Sequence, residues 1–336
     1  MPFQSVIAGL AVSLLVFAYA CSDNGGAEGS VSATPGGTAA LGESALHMAR
    51  MDASRQATVD PLEVRVTSLR HAGWDSCLGF TTSPSQACRE LFVGGYIARF
   101  QAGGREWRYH IGGGEWIGPV DPARGTVNDG SPVPPAVQAD LNSVLAQFAR
   151  AELQQLRSKD TGGQVTAVIT AIAPVAMSSS CPGFLFDAGN PICAETRAPG
   201  AVVLIAASDG KFYRYHVAQS GILATDFERG KVTVQPDPAD LSLQERMRAD
   251  LASRLHQPPE KVSMVAFRYV TWPDGCLDLH LPGRVCTQAL VPGFYAEVAD
   301  ESGKVYRYHG ANRNFVNATL EPGAILAPPP PAATTR

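Results

Sequence analysis

Six of the seven cysteines form three pairs at matching places in the sequence, and a similar four-residue string follows each pair. The pairs are Cys77 with Cys88, Cys181 with Cys193, and Cys276 with Cys286; the strings are Trp107-Arg108-Tyr109-His110, Tyr213-Arg214-Tyr215-His216 and Tyr306-Arg307-Tyr308-His309. Paired cysteines support disulfide, redox or metal chemistry, and arginine next to histidine supports anion binding that changes with pH. The repetition predicts three tandem copies of one small module.

The cysteine spacing favours disulfides over the other kinds of cysteine chemistry. No Cys-x-x-Cys sequence is present for thiol exchange. An even set of cysteines at similar in-pair spacing is typical of a disulfide framework, which persists where no cytosolic reductant reaches it. Six cysteines allow fifteen connectivities, and pairing within each module is the simplest. We expect no metal site and no cofactor.

The arginines and histidines of the strings share one face of each strand, because side chains alternate along a strand. The candidate binding residues are Arg108, His110, Arg214, His216, Arg307 and His309. In one interpretation, the aromatic residues pack under a helix and the Arg/His pairs form a solvated outer face. In the other, these pairs form an anion-binding strip, since arginine offers a bidentate fork and histidine changes charge with pH. A metal shared by three histidines would need a pseudo-threefold arrangement.

Trp74 and Trp272 lie just before the first cysteine of their pairs, and Asp274 follows Trp272 closely. Asp274 is expected to cap a turn through its carboxylate while Trp272 packs on the disulfide. Alternatively, an exposed tryptophan at the edge of a braced loop would be a binding anchor. The second module has Met177 to Ser180 where tryptophan and aspartate would fall, so such a site is not triplicated.

Catalytic motifs are absent from the sequence. It contains no HExxH, no G-x-S-x-G and no phosphate-binding G-x-x-x-x-G-K-[ST] loop. We therefore expect no catalytic residues and no enzymatic activity. A net charge of -4, with no run of lysine or arginine, gives no attraction toward polyanions, so nucleic acid is not an expected partner.

The third module predicts its elements most clearly. Ser242 to Glu245 form a capping box that would start a helix, and Pro258 would end it. Strand-like runs follow at 262–271, 293–299 and 304–309, with a disulfide loop between the first two and a hairpin turn between the last two. The helix carries an apolar stripe of Leu243, Met247, Leu251 and Leu255.

The other modules repeat this order, with helices expected near 136–156 and 43–57. The predicted fold class is α+β, with three tandem modules that each pack one helix on a three-stranded antiparallel sheet and contain one disulfide. We expect separate modest cores rather than one large core.

The domain boundaries follow from composition. We predict a signal peptide at 1–20, a lipid-anchored flexible tether at 21–41, module 1 at 42–120, module 2 at 133–228, module 3 at 240–326, and a disordered Pro-rich tail at 327–336. Stretches rich in Pro, Gly and Asp at 119–135 and 229–240 are predicted linkers.

The end of the signal peptide, Ala18-Tyr19-Ala20-Cys21, resembles the lipobox of bacterial lipoproteins. The resemblance implies lipidation of Cys21 and a place in the cell envelope, as an outer-membrane lipoprotein facing the periplasm or the exterior, with the lipid as its only membrane contact. The chain departs from that family at Ala18, where leucine is usual, and in Met1 to Ser5, which lack lysine and arginine. An ordinary cleaved signal peptide is the alternative.

The sequences Trp272-Pro273-Asp274-Gly275-Cys276-Leu277, Pro292-Gly293-Phe294 and Tyr306-Arg307-Tyr308-His309 resemble a repeat of bacterial exported proteins and lipoproteins that has no assigned activity. The order of helix and hairpin is also similar to PepSY-like and cystatin-like modules, some of which regulate or inhibit proteases. This second resemblance is one of topology and transfers no residues.

These features together predict a non-catalytic binding protein. The rigid disulfide loops would engage a protein partner, because preorganised loops lose less entropy on association. The most specific form of this hypothesis is a protease inhibitor. Reduction of the disulfides should then abolish binding to the protease. The alternatives are a structural envelope spacer and capture of a small anionic ligand by the Arg/His faces.

Overall fold

The computed structural model describes residues 38–134, 140–178, 183–186, 197–224, 230–326 and 330. Within these ranges the chain is α+β, with three α-helices and antiparallel sheets. The predicted signal peptide, Cys21, the Cys181–Cys193 pair and all of the predicted tail except Pro330 lie outside the described residues. The last four residues of the predicted tether belong to the first helix.

The first module contains one long helix, a four-stranded sheet and a pair of short strands. Its elements are α1 (Thr38–Ala57), β1 (Arg65–Trp74), β2 (Phe80–Thr81), β3 (Val93–Ala102), β4 (Arg105–Gly112), β5 (Glu115–Ile117) and β6 (Thr126–Val127). The sheet order is β1-β3-β4-β5, and β2 pairs with β6. Neighbouring strands are antiparallel throughout.

The second module has the same order of elements. They are α2 (Leu141–Thr161), β7 (Ala167–Ser178), β8 (Phe184–Phe186), β9 (Arg197–Ala207), β10 (Phe212–Ala218), β11 (Gly221–Ala224) and β12 (Gly230–Val232). The sheet order is β7-β9-β10-β11, and β8 pairs with β12.

The third module repeats this architecture. Its elements are α3 (Pro238–Leu255), β13 (Ser263–Trp272), β14 (Leu279–His280), β15 (Val291–Ala299), β16 (Val305–Ala311), β17 (Asn314–Asn317) and β18 (Ile325–Leu326). The sheet order is β13-β15-β16-β17, and β14 pairs with β18. Short 3-10 turns, Pro61–Glu63 and Pro259–Lys261, lead into β1 and β13.

The prediction of three-stranded sheets was wrong, because a fourth strand follows each Tyr-His string. In the third module the chain reverses between β16 and β17 at Asn312 and Arg313, whose φ angles are 50° and 64°. Glycine usually occupies such left-handed positions. Because neither residue of this turn is glycine, the sequence contains no glycine there to indicate it. A four-residue strand of mixed polarity after it also lacks a clear alternating pattern.

The starts of α2 and α3, like that of α1, differ from the prediction. Helix α3 begins at Pro238, four residues before the predicted capping box, because Asp237 accepts a hydrogen bond from the Ala239 amide at 2.8 Å and proline fits the first helical position. Helix α2 begins at Leu141, where Asp140 is the N-cap. The predicted stripe of α3 is confirmed at Leu243, Met247 and Leu251, which are buried.

The stretches predicted as linkers fold back onto their own modules. In each module the chain leaves the fourth strand and returns to pair with a short strand, which lies inside the disulfide loop in the first and third modules. We call three stretches the return segments: residues 118–134 and 230–236, which cover most of the predicted linkers, and the matching residues 318–326 of the third module. In the first and third modules the sheet is therefore covered by its helix on one face, and by the disulfide loop and return segment on the other.

The modules share one large continuous core where separate cores were predicted, and the first and third modules each also contain a small cluster of their own. The Gln147 side chain of α2 donates to the backbone carbonyls of Met264 and Val265, at the bulge of β13. The Gln244 side chain of α3 exchanges two hydrogen bonds with the backbone of Ile172 in β7. Each of these two helices thus reaches the first strand of the other module and satisfies buried backbone groups there.

The first module joins this core through α1 and α2. Arg50 of α1 is fully buried, donates to the Gln155 side chain at 2.9 Å and lies 3.6 Å from the Glu152 carboxylate. Its guanidinium also lies over the ring of Phe148. None of the helices in the described part of the chain combines the length and the apolar character that crossing a bilayer requires.

Candidate functional site

The histidines of the first and third strings lie between the sheet and the disulfide loop. His110 is 0% and His309 is 2% exposed. Their rings stack on Trp74 and Trp272, with centroids 4.7 and 4.4 Å apart. The tryptophan that precedes each first cysteine and the histidine that ends each string therefore form one packed pair.

Each of these histidines also holds the backbone turn that follows the first cysteine. The Nδ1 atom of His110 lies 2.6 Å from the Leu78 carbonyl oxygen, and that of His309 lies 2.8 Å from the Leu277 carbonyl oxygen. Both leucines have positive φ, 49° and 59°, a left-handed conformation that is strained for a residue with a β-carbon. The histidine bond is one contact that stabilises this turn.

An aspartate and a disulfide complete each turn. The Asp75 carboxylate accepts from the Cys77 amide at 3.0 Å, and the Asp274 carboxylate accepts from the amides of Cys276 and Asp278 at 2.8 and 3.1 Å. The structure thus places Asp274 in the capping position expected of it. Cys77 is bonded to Cys88 and Cys276 to Cys286, which confirms two of the predicted local disulfides.

Both ring nitrogens of His110 are engaged, which limits its chemistry. Besides its contact with the Leu78 carbonyl, the ring accepts a hydrogen bond at Nε2 from Arg108 Nε at 3.0 Å. Burial lowers the pKa of His110 and of His309 to about 4, so both are neutral near neutral pH. A ring held in this way is a structural brace and offers His110 no free nitrogen to a metal or a proton.

The arginines of the strings are engaged as well. Arg108 pairs with Asp129 of the return segment, and Arg214 donates to His216 Nε2, the Gln235 side chain and the Val234 carbonyl. Arg307 is 6% exposed and lies directly across from Glu297 in the β15–β16 register. The predicted solvated face of arginine and histidine is wrong, because the disulfide loop and the return segment cover it.

The tryptophans are not exposed anchors at the edge of the loops. Trp74 is 5% and Trp272 is 0% exposed. The Nε1 of Trp74 donates to the Asn128 carbonyl, and that of Trp272 donates to the Gly310 carbonyl, each at 3.0 Å. The Trp272 ring stacks on His309.

Some of the large exposed apolar side chains of the described residues flank the second cysteine of each described disulfide. They are Leu91 (45%) and Phe92 (53%) in the first module, and Val285 (96%) and Leu290 (76%) in the third. Ile325 of β18 is 70% exposed and pairs with His280 inside the same loop of the third module. Sequence reasoning missed these residues, although apolar residues in a loop next to a cysteine were a usable signal. They form the candidate binding surface.

Carboxylate and sulfur atoms also cluster at both loops. One ligand atom from each of Asp75, Cys77 and Cys88 lies within 4.8 Å of the others, and Asp274, Cys276 and Cys286 form the same kind of group. The sulfurs in both groups are bonded to one another, so neither offers a thiolate, the form of cysteine that binds metals.

Comparison with known families identifies the repeat in two places. A family model described as a domain of unknown function (DUF8738) matches residues 46–117 and 244–317. Each match begins within the helix and ends at the last residue of the fourth strand, so the return segments lie beyond it. No curated protein and no solved structure matches the chain. A repeated, uncharacterised module is therefore present as the first and third modules.

Proposed function

We propose that the chain is an exported, lipid-anchored binding protein without catalytic activity, which engages a protein partner through its disulfide loops. The second module is a diverged third copy of the repeat, since it keeps the Arg214–His216 hydrogen bond and the pairing of β8 with β12. Cys181 and Cys193 would then form the third disulfide.

The observation that carries the proposal is the exposure of large apolar side chains on the loops of the first and third modules. Scattered apolar residues on a surface need no explanation, but clusters at one kind of site point to interaction. Val285 lies inside the ring of the third module, Leu290 follows the ring closely and Ile325 belongs to its return segment, and all three are at least 70% exposed. Burying one such side chain contributes roughly 1.5–3 kcal/mol.

The ends of the third module's loop are also held before any partner arrives. The disulfide closes it, Asp274 caps its first turn, and the His309 ring binds its backbone. A preorganised loop loses little conformational entropy on binding, so more of the contact energy appears as affinity.

The two alternatives are less well supported. A spacer has no use for exposed apolar side chains at matching loops. Capture of a small anion would need open guanidinium groups, whereas Arg108 is paired with Asp129 and Arg214 donates to three acceptors.

Export is supported by redox chemistry. The two disulfides favour an oxidising compartment outside the cytoplasm, where such bonds persist. We further propose that Cys21 is lipidated and that the protein lies at the outer membrane. Both points rest on the lipobox resemblance.

The experiment compares capture of envelope proteins by the oxidised chain, by a Val285→Ser/Leu290→Ser variant, and by the reduced and alkylated chain. Phe212→Ser is the matched control, because Phe212 is 82% exposed but lies outside the disulfide loops. We expect at least one captured protein whose recovery falls about tenfold with the loop variant and after reduction, yet is unchanged with Phe212→Ser. Equal capture by all four samples would contradict the proposal.

A further inference from the structure

We propose that the Cys276–Cys286 loop occupies the active-site cleft of an arginine-specific serine protease, with Arg284 in the specificity pocket and the Arg284–Val285 peptide bond at the nucleophile. This inference rests on the proposed function and names the class of partner. The loop would act as a slowly processed, substrate-like inhibitor.

The first observation is the accessibility of this bond. Residues 284–290 form neither helix nor strand, and Arg284 and Val285 are exposed, Val285 by 96%. Within the described part of the chain, the Arg284 guanidinium has no hydrogen bond or ion pair. A protease must bind several residues on both sides of a peptide bond, and proteolysis therefore concentrates at exposed loops of this kind.

The second observation is that the bond lies inside a closed ring. Cys276 and Cys286 are bonded, and the 284–285 peptide lies between them in sequence. On one side His280 is held in the β14–β18 pair, and on the other the Gly275 amide donates to the Thr287 carbonyl at 2.8 Å. Cleavage would leave both new ends attached to the same module and close to each other.

The third observation is charge. A carboxylate at the base of a protease specificity pocket recognises a guanidinium through paired hydrogen bonds. Arg284 supplies that group inside the ring of the third module. The ring of the first module, residues 78–87, contains no lysine or arginine, and Arg89 lies outside it. The inference therefore concerns one loop and not the repeat as a whole.

The chemical step balances without a further reactant. The protease serine attacks the Arg284 carbonyl carbon, the bond to the Val285 nitrogen breaks, and the serine proton passes through the protease histidine to that nitrogen. Because the ring keeps the Val285 amine near the ester, the reverse attack reforms the peptide and releases the serine. Inhibition follows when this return is faster than entry of water.

One feature of the loop sets the expected kinetics. Pro282 and Gly283 form a turn closed by a hydrogen bond from the Arg284 amide to the Leu281 carbonyl at 3.2 Å, and Gly283 has a φ of 77°. A protease cleft binds the residues before the scissile bond in extended form, so this bond must open first. We expect slow-onset inhibition.

The test uses the purified oxidised chain with trypsin and an arginine ester substrate, and chymotrypsin as the control protease. We expect slow, competitive inhibition of trypsin and none of chymotrypsin. Arg284→Ala should weaken inhibition about 100-fold and Arg284→Lys less than about tenfold, since lysine also enters such a pocket. Arg89→Ala, the matched arginine next to Cys88, should change nothing.

Gel electrophoresis provides the second readout. Trypsin-treated chain should run as one band until it is reduced, and then release a new end at Val285. Rapid hydrolysis at Arg284 without loss of trypsin activity would overturn the inference, as would equal inhibition by Arg284→Ala. Neither result would affect the capture experiment above, which depends on Val285 and Leu290 and requires no cleavage.

Discussion

The first and third modules share one motif but close their disulfide loops differently. In the first, Trp74 Nε1 donates to Asn128 of the return segment and Arg108 pairs with Asp129 of the same segment. In the third, Trp272 Nε1 donates to Gly310 within the sheet, and the residue facing Arg307 is Glu297 of the neighbouring strand. Both loops pair with a short strand of their return segment, but only in the first module do the tryptophan and the arginine of the motif bond to that segment as well.

The difference explains why the third loop is the better candidate for binding. In the first module the return segment also pairs Ser131 with Gly73 and donates from the Asn128 amide to the Gly79 carbonyl. Trp272 has no such bond to its return segment, because its Nε1 donates to the sheet and its ring stacks on His309. A loop whose supports lie beneath it leaves its outer surface available to a partner.

The largest effect expected from this comparison comes from the tryptophans. Trp272→Ala should lower the free energy of unfolding by about 3–5 kcal/mol, because it removes a fully buried ring. It also leaves the buried Gly310 carbonyl without its donor, whereas the carbonyl that Trp74 leaves belongs to the exposed Asn128 and can bind water. Trp74→Ala should therefore cost about 1 kcal/mol less. Urea unfolding followed by circular dichroism would measure both, and a larger loss for Trp74→Ala would reverse the comparison.

Acid should destabilise both modules through their histidines. The pKa of His110 and of His309 is about 4 in the folded chain and 6.5 in the unfolded chain, so the unfolded state binds more protons between these values. The stability that each neutral ring contributes is complete above pH 6.5 and is lost as the pH falls toward 4, by about 3 kcal/mol per histidine. Unfolding free energies measured between pH 7 and pH 4.5 should fall accordingly.

Substitution of each histidine would show how much of this pH dependence of the unfolding free energy comes from each module. His110→Gln and His309→Gln should each flatten the pH dependence, and the double variant should flatten it further. Around His110 the other charged groups are Arg108, Arg70 and Asp129, while Arg307 faces His309. An unchanged slope in the double variant would show that other groups control acid stability.

The sequence predicted the parts of the modules that depend on local patterns. The apolar stripe of Leu243, Met247 and Leu251 identified α3, and the turn at Asp300 to Gly303 identified the hairpin, because periodicity and turn residues act over short distances. Local disulfide pairing was also within reach, since the paired cysteines are only 11 and 10 positions apart in the sequence.

The buried site was not predictable in the same way. Alternation along β4 shows that Arg108 and His110 share a face, but not what covers that face. The cover consists of Leu78 and Asp129, each far from them in sequence. The shared core was missed for the same reason, because Gln147 and Gln244 satisfy backbone groups of other modules.

Removal of the disulfides should reveal a smaller difference between the first and third modules. The rings span sequence separations of 11 and 10, so chain entropy alone predicts a similar loss of about 3 kcal/mol for Cys77→Ser/Cys88→Ser and Cys276→Ser/Cys286→Ser. The return segment of the first module should still hold its loop. Hydrogen exchange should therefore rise more at residues 277–287 in the second variant than at residues 78–89 in the first. Equal increases would show that the return segment does not brace the first loop.

The smallest expected effect concerns Asp129 and Glu297, the two acids that face the arginines. Replacing them should change stability at pH 7 in opposite directions. Arg108 lowers the pKa of Asp129, so its ionised form is favoured on folding, and Asp129→Asn should lower stability at pH 7 by less than about 1 kcal/mol at this exposed site. Burial raises the pKa of Glu297, so ionisation is disfavoured on folding and the advantage of the protonated form is lost as the pH rises above 4.5. Glu297→Gln removes that penalty and keeps an acceptor for the Tyr295 hydroxyl, which lies 2.6 Å away, so it should raise stability slightly at pH 7. A loss in Glu297→Gln equal to that in Asp129→Asn would mean that attraction to Arg307 outweighs the burial of Glu297, and that both modules use their acid in the same way.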